Sequence, residues 1–333
     1  MSLISNLNDP DSPVRRFMTA RFPLTRSFSF CCNRETVVTS WIRPPKPPRR
    51  KHYAYGTVGT ALDYRIRYYF RVTPYKKLVA TQGAALMLAE SSINERVVTN
   101  FFEGLSDFVD RVQPARRRLD LRQEKQLARY CLVLALYEQV YRAGVLRILF
   151  SNSPLAFASV VVSFRRNFLL DLVSPEWVDD VVAQSYAFYE SQSDLCCRRA
   201  VLNPTFEGSR DVGGADADLI VNRCLIDIKS TLRPAVSRHL LYQLLGYVLL
   251  DYENAYRIRE VGVYWSRHRV LRTWPLDELI TKLHGEYVSL QTLRVEFQKR
   301  LRSASHAKKS SGFKAELVQA RQRVMEEFGI IPR

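Results

Sequence analysis

The sequence of 333 residues lacks the short motifs of several common enzyme classes. It contains no glycine-rich phosphate loop of the Walker kind, so we expect no ATP binding. Its five histidines show no zinc-type spacing with cysteine, and it has no motif of a serine hydrolase or a cysteine protease. The longest apolar run, around Cys131–Tyr137, is far shorter than a membrane span. These absences argue against nucleotide-driven, zinc-dependent and membrane-spanning functions.

Cysteine is scarce, and its arrangement is not that of a metal or disulfide framework. The six cysteines include two adjacent pairs, Cys31-Cys32 and Cys196-Cys197, but no CxxC motif. No secretory signal stands at the N-terminus. We therefore expect reduced thiols and a cytoplasmic protein without a membrane partner.

Acidic residues are outnumbered by basic ones, 33 against 50, which gives a net charge of +17. Such an imbalance favours polyanionic partners. Between residues 43 and 77, ten basic residues accompany one acidic residue, and this stretch predicts nucleic-acid contacts by Arg49, Arg50, Lys51 and Arg65. A second basic run consists of Arg116, Arg117 and Arg118. It predicts either a basic helical face toward a nucleic-acid strand or a solvated helix surface.

A pattern with a period of two in residues 211–231 predicts a β-hairpin. Its first arm begins at Ala215, and Asn222-Arg223 between the arms favours a tight turn. Each arm places its charged residues on a single face, and these residues are Asp216, Asp218, Asp227 and Lys229.

Carboxylates a few ångströms apart repel each other and raise each other's pKa, so this cluster is costly unless something compensates it. A hard divalent cation is the simplest compensation, because Mg²⁺ binds carboxylate and carbonyl oxygens and keeps several waters. A lysine beside the cation can orient or deprotonate one of those waters. The hairpin therefore predicts a Mg²⁺ site for phosphodiester hydrolysis. The alternative is a surface turn whose charges are solvated or paired.

Three elements in order resemble the PD-(D/E)xK nuclease superfamily. Asp218, followed after a short turn by Asp227-Ile-Lys229, resembles its signature. Gln243-Leu-Leu-Gly-Tyr247 resembles the QxxxY element of the RecB-type branch, which lies on the helix after the catalytic strands. Upstream, residues 59–64 resemble the first core helix of that branch, with Asp63 where the branch usually has histidine.

The resemblance implies a role for each matching residue. Asp218 and Asp227 would hold Mg²⁺, or Mn²⁺ in its place, together with the backbone carbonyl of Ile228. Lys229 would place the attacking water. Further residues with an implied role are Asp216, as an alternative to Asp218, Asp63, as another candidate ligand, and Gln243 and Tyr247, which would steady the lysine or contact the substrate.

Some RecB-type nucleases carry an iron–sulfur cluster whose cysteines follow the QxxxY helix. No cysteine follows Cys224 in this sequence, so we expect no iron–sulfur cluster.

The resemblance also implies an α/β fold: a restriction-endonuclease-like core, with a central mixed sheet flanked by helices, and a large helical insertion. We expect the tail of the chain to offer a docking element for a protein partner. The predicted segments are an irregular basic arm with a proline-rich linker (1–52), the region of the first core helix (53–77), the helical insertion (78–200), the nuclease core (201–285) and a charged helical tail (286–333).

The expected function is Mg²⁺-dependent hydrolysis of DNA, duplex or single-stranded, and the resemblance implies a place in bacterial defence, restriction, recombination or repair. Three alternatives stay open. They are a nucleic-acid-binding subunit that does not cleave, an RNase with the same metal site, and a structural subunit of a larger complex. Endonuclease and exonuclease activity are both open.

Overall fold

The computed structural model describes residues 2–35, 41–45, 54–161, 165 and 167–304. The fold is α/β, with a five-stranded mixed sheet whose two faces are covered by helices, as the sequence predicts. Within these described ranges, no helix is both long enough and apolar enough to cross a membrane.

Three helices lie between residues 3 and 35 of the N-terminal segment, so the prediction of an irregular arm is wrong for this part, whereas residues 41–45 have no regular structure. The proline residues gave the misleading signal, because Pro13 occupies a first helical position, where proline is favoured. The side chains of Ser2 and Ser12 cap the first two helices by accepting hydrogen bonds from backbone N–H groups. The helices are α1 (Leu3–Asn8), α2 (Pro13–Arg21) and α3 (Thr25–Glu35).

A helical region follows, as predicted for residues 78–200, and several of its breaks fall at glycine or proline. Helices end before Gln113 and Gly144, and helices begin at Pro154 and Pro175. The helices are α4 (Tyr55–Phe70), α5 (Val79–Glu90), α6 (Glu95–Val112), α7 (Leu121–Ala143), α8 (Val145–Leu149), α9 (Pro154–Val160), α10 (Phe168–Asp171) and α11 (Pro175–Cys196).

The sheet has the strand order β1-β2-β3-β4-β5, with antiparallel neighbours except for the parallel pair β3 and β4. A parallel pair needs a crossover, which α12 provides here. The strands are β1 (Ala200–Leu202), β2 (Leu219–Val221), β3 (Cys224–Lys229), β4 (Glu260–Trp265) and β5 (Val270–Pro275), and the helices are α12 (Arg238–Leu250), α13 (Leu276–His284) and α14 (290–304).

Two hydrophobic cores cover the two faces of the sheet. Leu225 of β3 packs with α12, the N-terminal helices, α13 and α14 on one face. Ile226 packs with α4 and α11 on the other face. This alternation along β3 puts Asp227 and Lys229 on the α12 face, as predicted. A third core lies among α5 to α11 and surrounds α7, so α4 and α11 connect the helical region to the sheet.

Candidate functional site

The turn of the predicted hairpin joins β2 to β3. Val221 pairs with Cys224, and the two residues between them, Asn222 and Arg223, have positive φ angles of 50° and 70°. Two successive positive φ angles are the mark of the tight turns that join antiparallel strands, and asparagine tolerates them well. The predicted turn is confirmed.

The first arm of the hairpin is shorter than predicted, because β2 begins at Leu219 instead of Ala215. Asp216 forms only an isolated bridge to Thr205, and Asp218 directly precedes the strand. The two aspartates therefore lie in the segment that leads into the sheet and do not share one face of a regular strand.

One cavity of about 280 Å³ lies beside the end of β3. Its wall is formed by the hairpin and by residues of α4, α7, α12 and the start of α1. Every residue that the sequence marks as catalytic or metal-binding lines this cavity, and these residues are Asp63, Asp216, Asp218, Asp227, Ile228, Lys229, Gln243 and Tyr247.

Gln243 on α12 connects the charged groups of β3. Its Oε1 accepts a hydrogen bond from Lys229 Nζ at 3.1 Å. Its Nε2 donates to Asp227 Oδ1 at 2.9 Å and lies 3.0 Å from the hydroxyl oxygen of Tyr247. Because Gln243 and Tyr247 are four residues apart, they lie on the same face of the helix. The side-chain amide thus fixes the lysine and one carboxylate relative to each other.

Asp218 contacts the end of β3 through the backbone. Its Oδ2 accepts a hydrogen bond from the amide of Ile228, with an N···O distance of 2.5 Å. The N–H and the carbonyl of one strand residue point to the same side of the strand, so the carbonyl of Ile228 also faces the side of Asp218. The pairing of β2 with β3 ends at Ile226. Asp218 thus contacts the edge of β3 beyond Ile226, where β2 no longer pairs with it.

Asp63 lies in the part of the wall that α4 forms, and it makes an ion pair with Arg67, one helical turn away. Burial raises the pKa of Asp63 to about 6, although Arg67 acts against this shift. The pKa of Asp218 is raised well above its usual range by burial and by the nearby carboxylates of Asp63 and Asp227. The two walls of the cavity are therefore close enough for their carboxylates to repel each other.

Lys229 forms an ion pair with Asp227 and also lies within the electrostatic influence of Asp218. Burial acts to lower its pKa, but Asp227 and Asp218 outweigh burial, and the pKa of Lys229 is raised. Its Nζ lies 2.7 Å from Oδ2 of Asp227. Lys229 is therefore an ammonium group at neutral pH in the metal-free protein, able to donate hydrogen bonds into the cavity.

Three charged residues of this cavity were not predicted from the sequence. Arg67 lies one turn after Asp63, while Glu138 and Arg142 lie one turn apart on α7. Pairs of opposite charge at this spacing are common on helices, and nothing in the sequence connects α7 with the hairpin. Arg142 also binds Asp216, with a distance of 2.8 Å between Nη2 and Oδ2. Asp216 is thus paired with a guanidinium of the helical region.

The charges of the cavity do not balance. Five acidic residues face three cations, so the lining has a formal excess of two negative charges when all five are ionised, in a chain whose net charge is +17. The carboxylates belong to Asp63, Glu138, Asp216, Asp218 and Asp227, and the cations are Arg67, Arg142 and Lys229.

In the part of the chain that the structure describes, no group of three or more His, Cys, Asp or Glu side chains is arranged to hold a metal ion. A Mg²⁺ site needs fewer side chains, because Mg²⁺ in proteins takes one or two carboxylates and keeps several waters. Oδ2 of Asp227 is buried and, despite its 2.7 Å contact with Lys229, accepts no hydrogen bond of good geometry. This oxygen, paired only with the ammonium of Lys229 and with Asp218 and the Ile228 carbonyl nearby, fits a hard cation.

Arg65 does not fit its predicted role in nucleic-acid binding. Its side chain is inaccessible to solvent, forms two hydrogen bonds of 2.7 and 3.0 Å with Glu124, and stacks on Tyr69. A guanidinium held in this way cannot reach a phosphate outside the protein. Arg65 is instead part of the contact between α4 and α7.

The arginine run that precedes α7 is exposed but is not a helical face. Arg116, Arg117 and Arg118 lie in the turn before α7, which begins only at Leu121. Arg116 has a positive φ angle of 56°, which interrupts any helix at this point. The predicted contacts of Arg49, Arg50 and Lys51 fall outside the described residues.

Comparison with known proteins finds no similar protein. No protein-family model matches the chain, and neither a curated protein nor a solved structure matches it.

Proposed function

We propose that the protein is a Mg²⁺-dependent nuclease and that the cavity beside β3 is its active site. The observation that carries this proposal is the set of five acidic residues against three cations in the lining, a formal excess of two negative charges that one divalent cation would balance when all five are ionised. The position of Lys229 favours catalysis over simple cation storage. The ammonium group of Lys229 lies 2.7 Å from Asp227 and competes with a bound cation for that carboxylate. A lysine that weakens cation binding in this way would serve no purpose in a site that only stores the cation.

In this proposal, each residue at the end of β3 has a separate task. Asp218, Asp227 and the carbonyl of Ile228 would hold the cation. Mg²⁺ bound there would supply Lewis-acid activation of the phosphate and of a water molecule. Lys229 donates hydrogen bonds that orient the attacking water. Gln243 keeps the lysine beside Asp227, since its amide contacts both side chains.

The restriction-endonuclease-like core is part of the same proposal. Its support is the order of the elements: α4 packs on the sheet, the hairpin of β2 and β3 carries the charged residues, α12 carries Gln243 and Tyr247, and β4 returns parallel to β3. This order resembles the PD-(D/E)xK superfamily. From that resemblance we infer DNA as the substrate, with Mn²⁺ able to replace Mg²⁺. The same resemblance suggests a cytoplasmic role in bacterial defence, restriction, recombination or repair.

The test is a cleavage panel with supercoiled plasmid, linear duplex, single-stranded DNA and single-stranded RNA. Each substrate is incubated with Mg²⁺, Mn²⁺, Ca²⁺ or EDTA. We expect cleavage of DNA with Mg²⁺ and Mn²⁺ but not with EDTA, and no cleavage with Ca²⁺, whose looser coordination does not hold water and phosphate in line. Cutting of the closed plasmid would show an endonuclease.

The matched variant for this panel is Asp227→Asn, which keeps the shape of the side chain and removes its charge. It should abolish cleavage. Undiminished cleavage in EDTA or by Asp227→Asn would contradict the proposed function. Cleavage of RNA alone would favour the RNase alternative, and binding of DNA without cleavage under every condition would favour the non-cleaving subunit.

A further inference from the structure

Arg142 is the most exposed cation at the mouth of the cavity. Its side chain keeps 47% of its accessible surface, whereas the side chains of Arg67 and Lys229 keep 11% and 28%. It comes from α7, in the helical region, and not from the sheet. A group approaching the carboxylates from solvent therefore meets a guanidinium of the helical region.

The contacts of Arg142 show how this guanidinium is occupied. Its Nη1 and Nη2 donate to the two carboxylate oxygens of Asp216 at 3.4 and 2.8 Å. Its Nε donates to Glu138 at 2.8 Å, which fixes the direction of the side chain. Two parallel N–H···O contacts to two oxygens of one anion are also the way in which arginine binds phosphate. The carboxylate of Asp216 thus occupies the position of a phosphate group.

We propose that Arg142 is a phosphate-binding residue of this site. In the free protein, the carboxylate of Asp216 occupies the position on Arg142 that a phosphate takes when substrate binds. The inference rests on the proposed function, and it names a polynucleotide phosphate next to the cleaved bond as the ligand. Glu138 keeps the guanidinium at the mouth when a phosphate displaces Asp216. The helical region therefore contributes to substrate binding, and Asp216 is a competitor of the substrate and not a ligand of the metal.

The site needs such a cation because its carboxylates repel polyanions. The lining has a formal excess of two negative charges, which one divalent cation would only cancel. Attraction of a phosphate then depends on local donors. Arg67 is almost buried and is turned toward Asp63, which leaves Arg142 as the accessible guanidinium of the described lining.

The first test measures the affinity of a fluorescein-labelled DNA oligonucleotide by anisotropy, in Ca²⁺, for the parent and Arg142→Gln. Loss of a charge-assisted, two-pronged contact should weaken binding roughly tenfold or more. The control is Arg147→Gln, which removes the same charge from an exposed position on α8 and should change the affinity about twofold or less. Arg142→Lys keeps the positive charge beside Glu138 and Asp216 but loses the two parallel N–H donors, so its affinity for DNA should be intermediate.

The second test uses Asp216→Asn and separates its two possible roles. If Asp216 only competes with phosphate, its neutralisation removes a nearby charge but no metal ligand. The Mg²⁺ affinity, measured by calorimetry without DNA, should then fall much less than it does in Asp227→Asn. Asp216→Asn should bind DNA more tightly than the parent, by roughly two- to tenfold, because one hydrogen-bonded competitor is gone. Asp110→Asn, at an exposed position of α6, controls for the change in net charge.

Two results would overturn the inference. One is an equal change of DNA affinity in Arg142→Gln and Arg147→Gln. The other is a loss of Mg²⁺ affinity in Asp216→Asn as large as the loss in Asp227→Asn, which would make Asp216 a metal ligand. Should Arg142→Gln fail to fold, Arg142→Lys and Asp216→Asn carry the test. A parent protein that cleaves DNA with Mg²⁺ while these variants behave as their controls contradicts the phosphate site alone. A parent protein that neither binds Mg²⁺ nor cleaves DNA contradicts the proposed function.

Discussion

Two clusters of buried charge in this protein differ in their balance. Behind the end of β3, Arg267 and Asp180 form a pair with distances of 2.6 and 2.7 Å, and both side chains are inaccessible to solvent. In the cavity on the other side of Lys229, five carboxylates face three cations. The first cluster pairs one positive with one negative group, whereas the second has two negative charges too many.

From this difference we infer a structural role for the first cluster and propose a functional one for the second. The balanced pair is complete, and it also fixes the chain after Lys229, because Nε of Arg267 donates to the carbonyl of Ser230 at 3.2 Å. The unbalanced cluster is costly as it stands, since burial and repulsion both penalise its charged forms. A cation that enters the cavity removes this cost. The following predictions test whether the two clusters behave as differently as their charges imply.

The largest expected effect concerns the balanced pair. Asp180→Ala leaves Arg267 buried without its counter-charge, and breaking a buried pair from one side costs about 3–5 kcal/mol. The free energy of unfolding in urea should fall by this amount both with and without Mg²⁺. Asp179→Ala removes the neighbouring exposed carboxylate and should cost less than about 1 kcal/mol. Equal losses for the two variants would show that the pair does not hold α11 to the sheet.

The second effect concerns Lys229. If it orients the attacking water, Lys229→Ala should slow cleavage by about 10²–10⁴-fold, the usual contribution of such a group. The melting temperature in saturating Mg²⁺ should change little, because the cation already balances Asp218 and Asp227. Lys125→Ala on α7, whose partner is the exposed Asp179, is the control and should cleave at the parent's rate. Unfolding of Lys229→Ala despite saturating Mg²⁺ would instead assign the lysine to the structure.

The third effect is a dependence of stability on pH in the metal-free protein. The pKa of Asp63 is raised from 3.8 to about 6, so the folded state binds a proton more tightly than the unfolded state does. The contribution of Asp63 to stability is therefore favourable at low pH and is lost as pH rises from about 4 to about 6. The loss amounts to roughly 3 kcal/mol at most.

The measurement is the free energy of unfolding of the parent relative to Asp63→Asn at several pH values. Without metal, the parent should lose stability relative to the variant as pH rises. Saturating Mg²⁺ should diminish this loss if Asp63 contributes to the cation site. A relative stability that rises with pH without metal would show that the Arg67 pair outweighs burial.

The hairpin and the helix after it could be predicted from the sequence because their signals are local. The period of two places Asp227 and Lys229 on one face of β3, and the observed cores confirm this assignment. The spacing of four between Gln243 and Tyr247 places both on one face of α12, and both reach the same cavity. The extent of the first arm was wrong, because alternation in Ala215–Asp218 imitates a strand where only an isolated bridge forms.

Contacts between distant segments could not be predicted in the same way. Arg65 belongs to a basic stretch that suggests nucleic acid, but its burial against Glu124 is decided by how α4 packs on α7. Arg142 and Asp216 are 74 residues apart, and nothing local marks either one as the partner of the other. A single sequence reports the charge of such residues but not which of them face each other.

The most direct test of the account is the stability of the parent and of Asp227→Asn with and without Mg²⁺. Mg²⁺ at one hundred times its dissociation constant should stabilise the parent by about 2.7 kcal/mol. Asp227→Asn should lose most of the Mg²⁺ effect, because one of the carboxylates that would hold the cation is gone. Two results together would contradict the proposed Mg²⁺ site. The unfolding of the parent would not respond to Mg²⁺, and Asp227→Asn would be destabilised to the same extent with and without Mg²⁺.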